Sequence, residues 1–411
     1  MTSTNSPGAD VRADSGLVAP DPELPIAALL ALAMTGFICI VTETLPAGLL
    51  PQISQGLEVS AALAGQTVTA YALGSVIAAI PLTIATRSWP RRHVLLLTIV
   101  GFLIFNSITA ISSDYVLTLV ARFFAGVAAG LAWSLLAGYA RRMVQPHQQG
   151  RAMAIAMVGT PIALSFGVPL GTWLGAALGW RSAFGTMSVL TLLLIVWVLA
   201  KVPNYPGTKE QNTLPLMKVL TTPGVRPVLA TVMAWMLAHN ILYTYIAPFV
   251  AQAGLTNRVE MVLLAFGVTA LIGIAMTARL VEHHLRTTVL GCLATFFVVS
   301  VLFVWMADVA TAVYVGVAIW GLTFGGAATL LQTALADTAG DGADVALSMN
   351  VVAWNSVIAG GGILGGILLG RWGAHTFPWA LIGLLAVALA IVWMAKDHGF
   401  KSGTRAVVAG H

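Results

Sequence analysis

The sequence predicts an all-α membrane protein of twelve transmembrane helices arranged as two pseudo-symmetric six-helix bundles. Three observations carry this. Of 411 residues, 58% are hydrophobic and only 9% are charged, against about 25% charged in soluble domains. So few charges cannot cover a water-facing surface, so the excess apolar surface must face lipid. Twelve stretches reach the roughly 20 apolar residues that a helix needs to cross a bilayer, and a polar, proline-punctuated segment separates them six and six.

The apolar stretches run near 25–50, 61–86, 93–112, 115–139, 151–176, 181–201, 226–252, 259–280, 287–306, 309–335, 344–369 and 376–396. Residues 1–24 form a short polar tail. It lacks the basic start and small-residue cleavage site of a signal peptide, and the first apolar run is too long for one. The bundles are expected at 25–201 and 225–396, with a linker at 202–224 holding Pro203, Pro206, Gly207, Pro215, Pro223 and Gly224, and a second tail at 397–411.

Basic residues in short loops set orientation. Arg87, Arg91, Arg92, Arg141, Arg142, Arg151, Arg279 and Arg286, with Lys201, Lys209, Lys218 and Arg226 of the linker, fall on one face, and Arg181, Arg258 and Arg371 on the other. Twelve against three puts both termini and the linker in the cytoplasm. The loop with Asp337, Asp341 and Asp344 carries no Lys or Arg, but acidic residues weigh little in this rule. The net charge of +5 is explained by these loops rather than by nucleic-acid binding. Trp89, Trp180, Trp372 and Trp379 stand at span ends as interfacial anchors do. Cys39 and Cys292 lie inside apolar runs, so neither a disulfide nor a metal cluster is expected. Glu282-His283-His284 reads as a solvated loop. No Walker, Gly-x-Ser-x-Gly or His-Glu-x-x-His pattern appears, so neither an ATP-driven pump nor an enzyme is expected, and no cofactor.

The halves echo each other. Thr42-Glu43-Thr44-Leu45-Pro46 ends span 1 and Thr244-Tyr245-Ile246-Ala247-Pro248 ends span 7. Span 2 closes on Thr86-Arg87 and span 8 on Ala278-Arg279. Span 5 holds Gly167-Val-Pro169-Leu-Gly171 and span 11 a glycine run from Gly360 to Gly370. Repeats of this kind are a property of alternating-access carriers.

The polar residues inside spans are few. Glu43 lies deep in span 1, where a carboxylate is costly and a functional hypothesis by default. Its competing reading is a carboxylate that meets headgroups at the helix end. Arg122, inside span 4, reaches a similar depth, so an ion pair with Glu43 is possible. The alternative is a structural arginine bonded to backbone carbonyls. In span 7, His239, Asn240 and Tyr243 form a polar-aromatic stripe that serves equally as inter-helix glue or as a substrate surface, and Tyr245 points to another face. His239 also suits a proton carrier. Asn350 and Asn355 lie in span 11, with Asn355 nearer the midplane. Pro169 is a flexible point.

These stretches bring a resemblance into view. Glu43-Thr-Leu-Pro-Ala-Gly48-Leu-Leu-Pro51, Arg122-Phe-Phe-Ala-Gly126, Gly167-Val-Pro-Leu-Gly171 and His239-Asn-Ile-Leu-Tyr243-Thr-Tyr245-Ile-Ala-Pro-Phe249, with Gln332, Asn350 and Asn355, resemble the twelve-span drug/H⁺ antiporter branch of the major facilitator superfamily. They look most like bacterial arabinose-efflux-type permeases, which include sugar, nucleoside and chloramphenicol exporters. The resemblance implies proton-coupled efflux of a small organic molecule by a monomer in the bacterial cytoplasmic membrane, with spans 1, 4, 7 and 10 lining the cavity. An importer or uniporter is the runner-up. It implies proton coupling through Glu43, Arg122 and His239. Substrate contacts would come from Tyr71, Trp133, Asn240, Tyr243, Tyr245, Gln332 and Asn355, and gating from Arg87, Arg91, Arg92 and Pro169. Thr86 stands where that superfamily's span-2 loop carries an acid, so this position cannot supply the usual anionic group.

Overall fold

The computed structural model describes residues 24–207 and 215–401, all in helices and their connections, without a strand among them. Lys209 and most of both tails lie outside the described residues. Spans 1 to 4 are Ile26–Gly48, Ala61–Thr86, Arg91–Ile111 and Tyr115–Arg142. Span 5 ends at Leu178 and span 6 is Trp180–Lys201. Span 7 is Val225–Thr244, continued as Ile246–Val250. Span 10 is Ala310–Gly325 continued as Ala327–Ala339, span 11 Ala343–Trp372 and span 12 Phe377–Met394.

Spans 8 and 9 are where the expected loop is missing. They form one run, Val259–Met306, of 48 residues, about 72 Å of helix against a bilayer core of about 30 Å. His284 (φ −134°, ψ 31°) breaks it. The two limbs fold back on one neighbour: a Cβ on Gly273 would strike the Leu322 carbonyl, and one on Gly316 the Phe303 ring. Twelve spans therefore appear as eleven apolar helices. Glu282-His283-His284 is this corner, not an open loop.

Breaks recur at matching places in the halves. Span 1 stops at Leu49, just past Pro46, and span 7 at Tyr245 (φ −112°, ψ 31°), just before Pro248. Gly179 (φ +89°) turns span 5 into span 6, and Gly373 (φ +88°) turns span 11 into span 12. A side chain rarely adopts that backbone, so each glycine fixes its corner. Span 5 carries a π-helical turn, Ala163–Gly167, just ahead of Pro169, because the proline has no N–H for the ladder.

Close approach sets the centre of the first half. Gly126 of span 4 lies against the carbonyl of Tyr71 in span 2, where any Cβ would collide with backbone. The face holding residues 87–91 and 202–207 is here the linker face. Arg142 Nη1 donates there to Pro206 O (2.9 Å), Tyr139 Oη to Pro203 O (2.6 Å) and Arg92 backbone N to Asn204 Oδ1 (3.2 Å). On the opposite face Arg181 ties three helices through Ser112 O and Gly56 O (3.0 and 3.2 Å). Trp180 departs from its expected anchoring role. It is 4% exposed and lies over Gly56 with the Arg181 guanidinium 4.4 Å from its ring. Trp89, Trp372 and Trp379 are exposed, as anchors should be.

Candidate functional site

Span 4 can lie against span 2 because Gly126 removes a side chain, and one helical turn earlier this brings Arg122 between spans 1 and 2. Arg122 is fully buried. Its Nε donates to Thr67 O (3.2 Å) and Nη2 to Glu43 O (3.3 Å), both backbone carbonyls. Its guanidinium carbon stands 4.9 Å from the Tyr71 ring centre and 5.5 Å from that of Phe184, and Nη1 has no partner. The sequence left an ion pair with Glu43 and a carbonyl-bonded arginine both open. In this structure the carbonyls take the donors, and the Glu43 carboxylate is not within ion-pair distance. Glu43 itself is buried, 6% exposed.

Tyr71 corrects an expectation. It faces no solute space: it is fully buried, its Oη donates to Cys39 O (2.9 Å), and its ring supports Arg122. Trp133 is half-buried against span 1 at Gly36. Gln332 is exposed in the linker-side part of span 10.

The span-7 stripe meets an aromatic cluster. The His239 ring stacks on Phe324 of span 10, with centroids 3.5 Å apart and planes at 4°. Tyr243 and Trp320 lie 5.2 Å from it, and Phe266 of span 8 lies 5.8 Å away. Two polar atoms in this cluster are buried and unpartnered, His239 Nδ1 and Trp320 Nε1. The Tyr243 hydroxyl faces Thr44 of span 1, and Glu43 lies within electrostatic range of it. Asn240 packs on Gly361 of span 11 and donates to Met236 O (2.7 Å). Asn355 donates to Val351 O (3.0 Å). Both are buried, each 8% exposed.

Phe266, Trp320 and Phe324 escaped the sequence reading because an aromatic ring in an apolar span looks the same facing lipid or a site. The available signal was Trp320 and Phe324, one turn apart and followed by Gly325-Gly326. Tyr245 also differs from expectation. It is fully buried between spans 2 and 11, away from the cluster and on the other face, as its two-residue offset from Tyr243 sets, so it meets helices rather than solute.

Of the gating residues, Arg92 is engaged within its own half: besides its backbone bond, Nη1 reaches Val202 O (3.5 Å). Arg91 N likewise donates to Tyr205 O (2.8 Å), and its side chain reaches Arg87 O (2.5 Å). This basic run holds residues 202–205 against the first half. Burial pushes the Tyr205 phenol there above its ordinary value.

Paired broken helices around a buried carboxylate and arginine define the class: a multi-pass solute carrier. The chain belongs to the Major Facilitator Superfamily, which residues 32–362 match. It is 28% identical over 378 residues to the purine ribonucleoside efflux pump NepI of Escherichia coli K12, covering 91% of this chain and 95% of that one, and equally to NepI of Shigella flexneri. Among solved structures, the human organic anion transporter MFSD10 (TETRAN) shares the fold, with a TM-score of 0.66 at 16% identity, over 90% of this chain and 99% of that one.

Proposed function

We propose that the protein exports solutes of the purine-ribonucleoside type from the cytoplasm in exchange for protons. The observation that carries this reading is the aromatic cluster with its two unpartnered polar atoms. Leaving a buried donor or acceptor unmade costs about 1–3 kcal/mol. A planar heterocycle with both donors and acceptors on its edge would satisfy His239 Nδ1 and Trp320 Nε1, and would stack on the rings beside them. Similarity to purine ribonucleoside efflux pumps supports the same class. Glu43 is the proton carrier in this reading. It lies within electrostatic range of Tyr243, so the charge on the carboxyl and a bound solute influence each other. The halves 25–201 and 225–396 rock about that site, Pro169 marks a flexible point in span 5, and the linker face is cytoplasmic because it holds most of the basic residues. The protein acts as a monomer.

The test is accumulation in inverted vesicles under an imposed inward-acid gradient, with a panel of purine ribonucleosides, arabinose and chloramphenicol. The expected result is saturable, gradient-dependent uptake of the ribonucleosides. Uptake of the sugar or the antibiotic with none of the ribonucleosides would overturn the substrate reading.

A further inference from the structure

Tyr245 is two residues beyond Tyr243, at the break in span 7, and faces away from it. It enters a slot between span 2 and span 11, the seam where the two halves meet on the face opposite the linker. The slot walls are glycines. A Cβ on Gly65 would strike the Tyr245 ring, one on Gly365 would come within 2.7 Å of it, and one on Gly366 within 2.7 Å of its hydroxyl. Tyr245 Oη donates to Gly362 O (2.7 Å). Gln66 Nε2 donates to Tyr245 Oη (3.2 Å) and stands 3.1 Å from Gly362 O. One phenol and one amide thus tie span 7, span 2 and span 11 together across both halves.

We propose that Tyr245 is a bolt that holds the opposite face shut, and that opening to that face requires its withdrawal from the Gly65–Gly365–Gly366 slot. Nothing about the identity of the solute enters this assignment. Spans 7 and 11 belong to the second half and span 2 to the first, so the bonds from Gln66 and the contact of Tyr245 Oη with Ala62 O (3.3 Å) cannot persist when spans 2 and 11 separate. The slot fits an aromatic ring only while the helices are in contact, so the bolt favours one conformer over the other, as a two-state element must. The non-helical backbone at Tyr245 (φ −112°, ψ 31°) supplies the joint about which the ring can leave while Val225–Thr244 stays helical.

The test is thiol accessibility in the full-length protein. Cys39 and Cys292, the two native cysteines, are replaced by alanine, and Thr44→Cys places a reporter beside Tyr243. A membrane-impermeant maleimide is applied to one face at a time, in right-side-out and in inverted vesicles. Tyr245→Phe keeps the ring in its slot and removes the hydroxyl's hydrogen bonds. It is expected to speed labelling from the opposite face by about tenfold, the scale of one or two net hydrogen bonds, and to slow labelling from the linker face. Gly365→Ala, which wedges the slot, should act in the same direction. General loosening would instead raise labelling from both faces, and that result, or an unchanged rate in Tyr245→Phe, would overturn the assignment. Because labelling needs no solute, it reads out even if ribonucleosides are not transported.

Discussion

Arg122 and Glu43 occupy one region with unequal freedom. The arginine's Nε and Nη2 are bound to carbonyls and its face is stacked on Tyr71, so it is fixed in place as a permanent charge. Glu43 has no such fixed partner, and a carboxyl is the group that changes charge by gaining or losing a proton. Glu43→Gln imposes the neutral form permanently. We expect it to retain solute binding, because the aromatic cluster is untouched, and to lose uphill accumulation driven by a pH gradient while downhill exchange persists. Accumulation in inverted vesicles with and without the gradient measures this. Undiminished gradient-driven uptake would transfer the role to His239. The candidate residues themselves were legible, since a polar side chain inside an apolar run stands out whatever surrounds it. Their partners were not. A hydrogen bond from Arg122 to the carbonyl of Thr67 joins positions 55 apart in sequence, and a backbone carbonyl leaves no mark in the chain.

At the scale of the element, position around the helix decides which way side chains point. Tyr243 and Tyr245 stand two residues apart, about 200° around a helix, and the break at Tyr245 comes where one faces the cluster and the other the inter-half seam. Proline gave part of the signal, because Pro46, Pro169 and Pro248 all flank irregular turns. The break at Tyr245 follows the Thr244 carbonyl, the one that Pro248 can neither bond nor clear in a continuous helix. Close helix contacts make a second class of prediction. Gly126→Ala would drive a Cβ into the Tyr71 carbonyl, and both atoms belong to buried helix centres with no flexible side chain to yield. We expect about 1–3 kcal/mol of destabilisation, the range for overpacking a well-filled interior, seen as a lower melting temperature in detergent. Gly138 is the control, because a methyl added there would meet nothing within 4 Å. Gly138→Ala should not lower the melting temperature and should raise it slightly, because Ala favours a helix interior over Gly by about 0.5–1 kcal/mol.

For the whole molecule, topology is the open physical quantity, and charge fixes the expectation. A reporter fused after Lys396 should show cytoplasmic activity, and one placed at Thr256 should report the outside. The reverse pattern would overturn the orientation. The fold also assigns a job to charges that the sequence read as a gate. Arg91 and Arg92 bind the start of the linker to the first half, which ties the segment joining the halves to the start of span 3.

The sequence by itself determined the number of spans, their grouping and their lengths. A bilayer tolerates unpaired backbone so poorly that each crossing must be an apolar helix of about 20 residues, and that constraint is written locally. It also determined which polar residues sit at depth. The tertiary structure alone decided what those residues meet: carbonyls for Arg122, Phe324 and Trp320 for His239, and a glycine slot for Tyr245. These contacts join residues far apart in the chain, and the helix breaks and glycine-permitted approaches that bring them together act through three-dimensional direction, which hydropathy does not encode.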